Sequence, residues 1–97
     1  MNHPKIVEAK DVQFSDVREV ESQGTRALRL EGLVFHSALA VEGVDISQSE
    51  GVARVMVKLT PAKSGLSGRF VVDVPLPRHD TRVLFGPSEV QIWPPTR

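Results

Sequence analysis

Regular alternation of apolar and polar residues constrains the fold of this chain more than any other feature. It runs through residues 52–60 and again through 68–76. The apolar positions, spaced two apart in each stretch, are Val55, Val57, Leu59, Phe70, Val72, Val74 and Leu76. Successive side chains of a β-strand point to opposite faces, so the pattern predicts two half-buried strands of an antiparallel sheet. The loop between them, rich in Gly and Pro, is compatible with a hairpin or with strands linked across a sandwich.

A second pair of strands closes the chain. Residues 81–85 and 89–93 flank the turn signal Gly-Pro-Ser at 86–88, which predicts a hairpin. Trp93 is out of phase with the apolar residues before it, so we expect it to plug one end of the sandwich or to pack across an edge. The two prolines at 94–95 end the strand, because neither can donate a hydrogen bond to a neighbouring strand.

The segment 12–22 is less regular. Val12 and Phe14 share a phase that Val17 breaks. Valine favours strands, and no capped helix of normal length fits here, so we predict a strand with a break. A single helical turn over 16–21 is the alternative.

Two further strands are predicted in the first half of the chain. Residues 25–36 alternate and then become continuously apolar, with Gly32 at the change as a candidate β-bulge. Residues 39–46 read as a short strand that is interrupted at 42–43.

Together these segments predict an all-β fold, an antiparallel immunoglobulin-like β-sandwich of about seven short strands. A small open barrel is the alternative. The chain of 97 residues is expected to form one domain over 1–97, with a core over about 5–93 and flexible tails at 1–4 and 94–97. No stretch has the helical period that a parallel α/β fold needs for its crossovers.

Composition excludes several classes of function. The chain has 12 basic and 12 acidic residues and no cysteine, which argues against an obligate polyanion binder, disulfides and thiolate zinc sites. No apolar run is long enough to span a membrane. The N-terminus has no signal-peptide core. We therefore expect a cytoplasmic protein if Met1 is the native start, and a periplasmic or cell-envelope protein if the chain is a trimmed mature domain.

No group of residues assembles a reactive site. None of His3, His36 and His79 has a metal-ligating partner at the usual spacing. His79 and Asp80 are adjacent in a predicted loop, but no serine of the chain has the glycine-flanked setting of a nucleophile. We therefore predict no catalytic residues, no metal and no cofactor, and a protein that is not an enzyme.

The outward positions of the two alternating strands supply the candidate binding face. If the strands are neighbours, this face contains Arg54, Met56, Lys58, Arg69 and Val71. The apolar residues Met56 and Val71 in these otherwise polar rows indicate either a second buried face or a partner surface. The strand pattern, the neutral charge and the lack of a reactive group lead us to expect a protein partner, either another chain or a second copy. The alternative is a ligand or a nucleic acid bound by the three cations. Nucleic acid is disfavoured because aromatic residues for base stacking are not interleaved with them.

Three apolar segments carry a family resemblance: 32–39 (GLVFHSAL), 83–86 (VLFG) and 92–93 (IW). With them the chain resembles a group of small uncharacterised bacterial proteins over roughly residues 12–93. The resemblance implies an immunoglobulin-like β-sandwich, in a group with some exported or lipid-anchored members, and it carries over no catalytic residues. This chain departs from exported members in having no signal segment and no lipidation cysteine. It also lacks the Cys…Trp…Cys core of true immunoglobulin domains.

Overall fold

Eight β-strands in two sheets make up most of residues 5–35 and 38–95, the part of the chain that this computed structural model describes. The strands are β1 (Lys5–Ile6), β2 (Val12–Ser22), β3 (Thr25–Val34), β4 (Leu39–Ser49), β5 (Val52–Pro61), β6 (Arg69–Pro75), β7 (Arg82–Phe85) and β8 (Val90–Trp93). A 3₁₀ turn, Ala9–Asp11, precedes β2. Within the described ranges no helix is long and apolar enough to cross a membrane. The all-β prediction is confirmed, and the two sheets are consistent with a β-sandwich.

One sheet has three antiparallel strands in the order β2-β3-β6. Its register places Phe14, Gly32 and Phe70 side by side in one row. Leu28 and Leu30 of β3 are completely buried, so this face of the sheet forms one wall of the core.

The other sheet is built around β5. Strand β4 pairs with it along one side, and on the other side β7 pairs with its first half and β1 with its second half. Strand β8 pairs with the outer side of β7, so the predicted 81–93 hairpin is confirmed.

The β5–β7 pairing is parallel, so the prediction of a purely antiparallel sheet is wrong at this point. The connections explain the exception. The chain leaves β5 for β6 in the other sheet at one end of the sandwich, and it returns to β7 at the opposite end. Each crossing reverses the chain, so β7 enters with the direction of β5. The alternating stretches 52–60 and 68–76 are therefore linked across the sandwich and do not form a hairpin.

Three register shifts account for the irregular phases of the sequence. The register shifts between Phe14 and Asp16, which leaves Ser15 as the extra residue and returns Val17 to the core side. The segment 12–22 is thus one strand with a break, as predicted, and not a helical turn. A second shift between Val41 and Gly43 confirms the predicted interruption at 42–43. The third, in the β7–β8 pair, leaves Ile92 as the extra residue and puts Trp93 out of phase with the residues before it.

Gly32 is not the extra residue of a bulge, but it lies opposite the β2 bulge at Ser15, so the irregularity predicted here exists on the partner strand. Gly32 keeps a regular register with β6, and a Cβ atom on it would come within 2.8 Å of Phe70 Cζ and 2.9 Å of Val12 Cγ1. The glycine therefore makes room for a core ring, and the irregularity lies on the neighbouring strand.

Three aromatic rings form the centre of the core. Phe85 is fully buried and meets Phe14 edge to face at a centroid distance of 5.2 Å, and it stacks on Phe70 at 6.2 Å. The alternating valines and leucines of β5 and β6 pack around these rings. Trp93 also packs against the core. Of the predicted tails, 1–4 and 96–97 lie outside the described residues.

One side of the sandwich is closed by hydrogen bonds between β4 and the segment that contains β6. The Val41 N–H donates to the Ser67 carbonyl at 2.8 Å, and Gln48 Nε2 donates to the Pro75 carbonyl at 2.9 Å. Strands β2 and β8 are the outer strands of the two sheets on the opposite side.

Candidate functional site

The five residues predicted to share a binding face lie on two different sheets. Arg54, Met56 and Lys58 alternate with the buried residues of β5, so they lie on the outer face of the five-stranded sheet. Arg69 and Val71 alternate with those of β6, on the outer face of the three-stranded sheet. One shared face does not form, because it required β5 and β6 to be neighbours in one sheet. The role of each group in binding stays a prediction.

The two cations of the β5 group are held by carboxylates. Arg54 Nε donates to Glu89 Oε1 at 2.6 Å, and Lys58 Nζ lies 3.4 Å from Asp45 Oδ2. Met56 between them is half-buried. Both cations of this group are therefore already in contact with a carboxylate, and Arg69 cannot add to them from the other sheet.

Ion pairs also cover part of the outer face of the three-stranded sheet. Arg29 Nε and Nη2 donate to the two oxygens of Asp73 at 2.9 and 3.0 Å, across β3 and β6. These hydrogen bonds hold the pKa of Asp73 below its ordinary value and raise the pKa of Arg29. On β2, Arg18 Nε donates to Asp16 Oδ2 at 2.6 Å.

Beside these pairs lies a set of four residues that we call the β3–β6 patch: Glu31, Leu33, Arg69 and Val71. The register pairs Leu33 with Arg69 and Glu31 with Val71, so the apolar residues occupy one diagonal and the charged residues the other. Val71 is 63% exposed, the highest value among the large hydrophobic residues of the described ranges. In residues 5–35 and 38–95, neither Glu31 nor Arg69 makes a side-chain ion pair.

Sequence reasoning found two members of this patch and missed two. Arg69 and Val71 followed from the alternation of β6. Glu31 and Leu33 were missed because the apolar run 33–35 hides the period of β3. The signal was present nonetheless, since both residues are in phase with Arg29 and out of phase with the buried Leu30.

Two more exposed hydrophobic residues lie at the end of the sandwich next to the patch. The Val34 N–H donates to the Gly68 carbonyl at 2.8 Å, which places the loop before β6 beside the end of β3. Phe35 and Leu66, the exposed hydrophobic residues of these two loops, therefore lie at the same end.

The adjacent residues His79 and Asp80 are both exposed in the loop between β6 and β7. The Asp80 carboxylate contacts the guanidinium of Arg78, with Oδ1 3.2 Å from Nε.

A shallow depression beside the β7–β8 turn contains Glu8, which accepts from the Ser88 N–H at 3.3 Å and from its hydroxyl at 3.1 Å. No group of three or more His, Cys, Asp or Glu side chains in the described ranges could hold a metal ion. His3 and His36 lie outside those ranges.

No protein-family model matches the chain, and no curated protein and no solved structure matches it significantly.

Proposed function

We propose that this protein is a non-catalytic interaction domain, an immunoglobulin-like β-sandwich that binds another protein through the β3–β6 patch. Two mostly antiparallel sheets, connected across both ends of the sandwich, support this type of fold. The family resemblance implies the same type.

The exposure of Val71 is the observation that carries the proposal. Complete burial of a valine side chain contributes about 1.5 to 3 kcal/mol to the free energy of association. Val71 lies on a face that also includes Leu33. The Arg29–Asp73 pair and the charges of Glu31 and Arg69 surround this apolar centre, an arrangement typical of interface cores with polar rims. On the other outer face Met56 is half-buried, between two cations that are already paired.

Packing on the face fits this surface better than addition of a strand to an edge. The long free edge of β2 has a bulge at Ser15 and four charged residues between Asp16 and Glu21. Bulges and charges are the features by which natural edge strands resist pairing with another chain. The free edge of β8 is four residues long and is followed by two prolines.

Site-specific photocrosslinking tests the proposal. A photoreactive residue replaces Val71 in one variant and Met56, on the opposite face, in a matched control. Both variants are irradiated in extract of the source cells, with and without nuclease. We expect a protein adduct at position 71 that resists nuclease, and no equivalent adduct at position 56. No protein adduct at position 71, or equal adducts at both positions, would refute the proposal. A nuclease-sensitive adduct would instead favour the nucleic-acid alternative.

A further inference from the structure

We infer that the partner of the β3–β6 patch is a second copy of this chain, packed face to face about a two-fold axis. The inference rests on the proposed function and names its partner. It is carried by the arrangement of the four residues: an apolar diagonal, Leu33 to Val71, crossed by a charged diagonal, Glu31 to Arg69.

A two-fold axis along the apolar diagonal makes the patch complementary to itself. The rotation places Leu33 of one chain against Leu33 of the other, and Val71 of one chain against Val71 of the other. It also exchanges the ends of the charged diagonal, so Glu31 of each chain faces Arg69 of the other. In an isologous interface each contact occurs twice, and one patch therefore yields two apolar contacts and two ion pairs.

The resulting geometry is one that β-sheets adopt. Neighbouring strands are about 4.8 Å apart, and successive residues on one face are about 6.8 Å apart along the strand. The apolar diagonal is therefore inclined by roughly 35° to the strands. Rotation about it makes the strands of the two chains cross at roughly 70°, closer to the orthogonal class of sheet packing than to the aligned class.

The charges inside the single chain favour this arrangement. On the outer face of the three-stranded sheet, Arg18 and Arg29 already bind carboxylates of the same chain. Glu31 and Arg69 make no ion pair within the described residues, although both lie beside the exposed Val71. The second copy supplies a direct ion-pair partner to each of them.

The interface is small, so the dimer is weak. Three strands present a face roughly 14 Å wide and 24 Å long. The area of this face is well below the roughly 800 Å² that each partner buries in a standard interface. We therefore expect a dimer that forms reversibly with rising concentration, measurable by sedimentation equilibrium from about 10 μM to 1 mM.

Complementary charge reversals provide the test. Glu31→Arg places like charges against Arg69 of the second copy, and Arg69→Glu does the same with acids. We expect each variant alone to dimerise about tenfold more weakly or worse than the parent chain. An equimolar mixture of the two variants is expected to form a heterodimer, because both opposed pairs are then of opposite sign.

The control pair reverses the same charges elsewhere. Glu42→Arg and Arg82→Glu alter exposed residues of β4 and β7, on the other sheet, and we expect both to dimerise like the parent chain. A third variant, Val71→Asp, is expected to stay monomeric throughout the concentration range. Formation of the heterodimer also shows that both charge-reversed chains are folded.

Three outcomes would overturn the inference: a parent chain that stays monomeric, single reversals that leave dimerisation unchanged, or a mixture that does not associate. Its failure is distinct from failure of the proposed function. If the chain is monomeric at all concentrations but crosslinks at position 71 to a different protein, the proposed function is supported and the dimer is refuted. If the chain neither dimerises nor crosslinks to a protein at position 71, both proposals are refuted.

Discussion

Arg29 on β3 donates two parallel hydrogen bonds, of 2.9 and 3.0 Å, to the carboxylate of Asp73 on β6, although the two residues are 44 positions apart in the chain. The pair connects the central strand of the three-stranded sheet to its β6 edge. It also borders the apolar part of the β3–β6 patch. A fork-to-carboxylate contact of this kind has fixed geometry as well as charge, so it orients both side chains beside Val71.

The Arg29–Asp73 pair predicts a particular dependence of stability on acid. The pKa of Asp73 in the folded chain is lowered by the Arg29 hydrogen bonds, so its contribution to stability is present above the ordinary Asp pKa of about 3.9. That contribution is lost as the pH falls through the folded pKa. We expect Asp73→Asn to lower the urea midpoint near neutral pH, and the difference from the parent chain to shrink in acid. Glu42→Gln is the control, because Glu42 makes no ion pair within the described part of the chain. A difference between Asp73→Asn and the parent chain that grows in acid would contradict the prediction.

Substitution of Gly32 tests the close packing at the centre of the three-stranded sheet. The added methyl group in Gly32→Ala would lie within 3 Å of the Phe70 ring and of Val12. The ring cannot move away freely because it stacks on Phe85. We expect a loss of about 1 to 3 kcal/mol in the free energy of unfolding, measured by chemical denaturation. Gly43→Ala is the control, since its nearest neighbour would be Lys58 Cε at 3.8 Å. Equal stability of the two variants would refute this account.

The aromatic core predicts a large difference between two phenylalanines. Phe85→Ala removes a fully buried ring that contacts two others, and we expect it to cost about 3 to 5 kcal/mol. Phe35→Ala removes a ring that is mostly exposed, and its effect on the denaturation midpoint should be small. If Phe85→Ala does not fold, Phe85→Leu gives the same ordering with a smaller loss. Similar losses at both positions would contradict the placement of Phe85.

Fluorescence of Trp93, the single tryptophan of the chain, tests whether the end of β8 is packed. Trp93 lies opposite Val83 in register and packs against the core. We expect its fluorescence emission to lie at shorter wavelength in the native protein than in urea, and acrylamide to quench it less. Native emission identical to that of the unfolded chain would mean that β8 ends before this residue.

Local sequence pattern was enough to place most strands and their faces. The alternation of β5 and β6 correctly assigned the buried residues, including Val55 and Val74. The phase break at Val17 and the interruption at 42–43 correspond to the bulges of β2 and β4. Gly32 was misread because glycine is favoured both at a bulge and at a close ring contact, and only the position of Phe70 separates the two.

The candidate site was predictable only in part. Arg69 and Val71 were placed on an outward face from the period of β6 alone. Their supposed neighbours on β5 lie on the other sheet, and their actual neighbours are Glu31 and Leu33 of β3. Strand partners far apart in sequence leave no local signal, so the composition of the patch could not be read from either strand.

The sequence by itself determined that this protein is all-β, which side chains of β5 and β6 face the core, and where β2 and β4 are interrupted. These properties depend on alternation and turn chemistry, which act over a few residues. The tertiary structure alone decided which strands are neighbours, that β7 runs parallel to β5, and that Glu31 and Arg69 lie on crossing diagonals with Leu33 and Val71. Those relationships arise from packing two sheets around shared aromatic rings, which join residues many positions apart and therefore exist only in the folded chain.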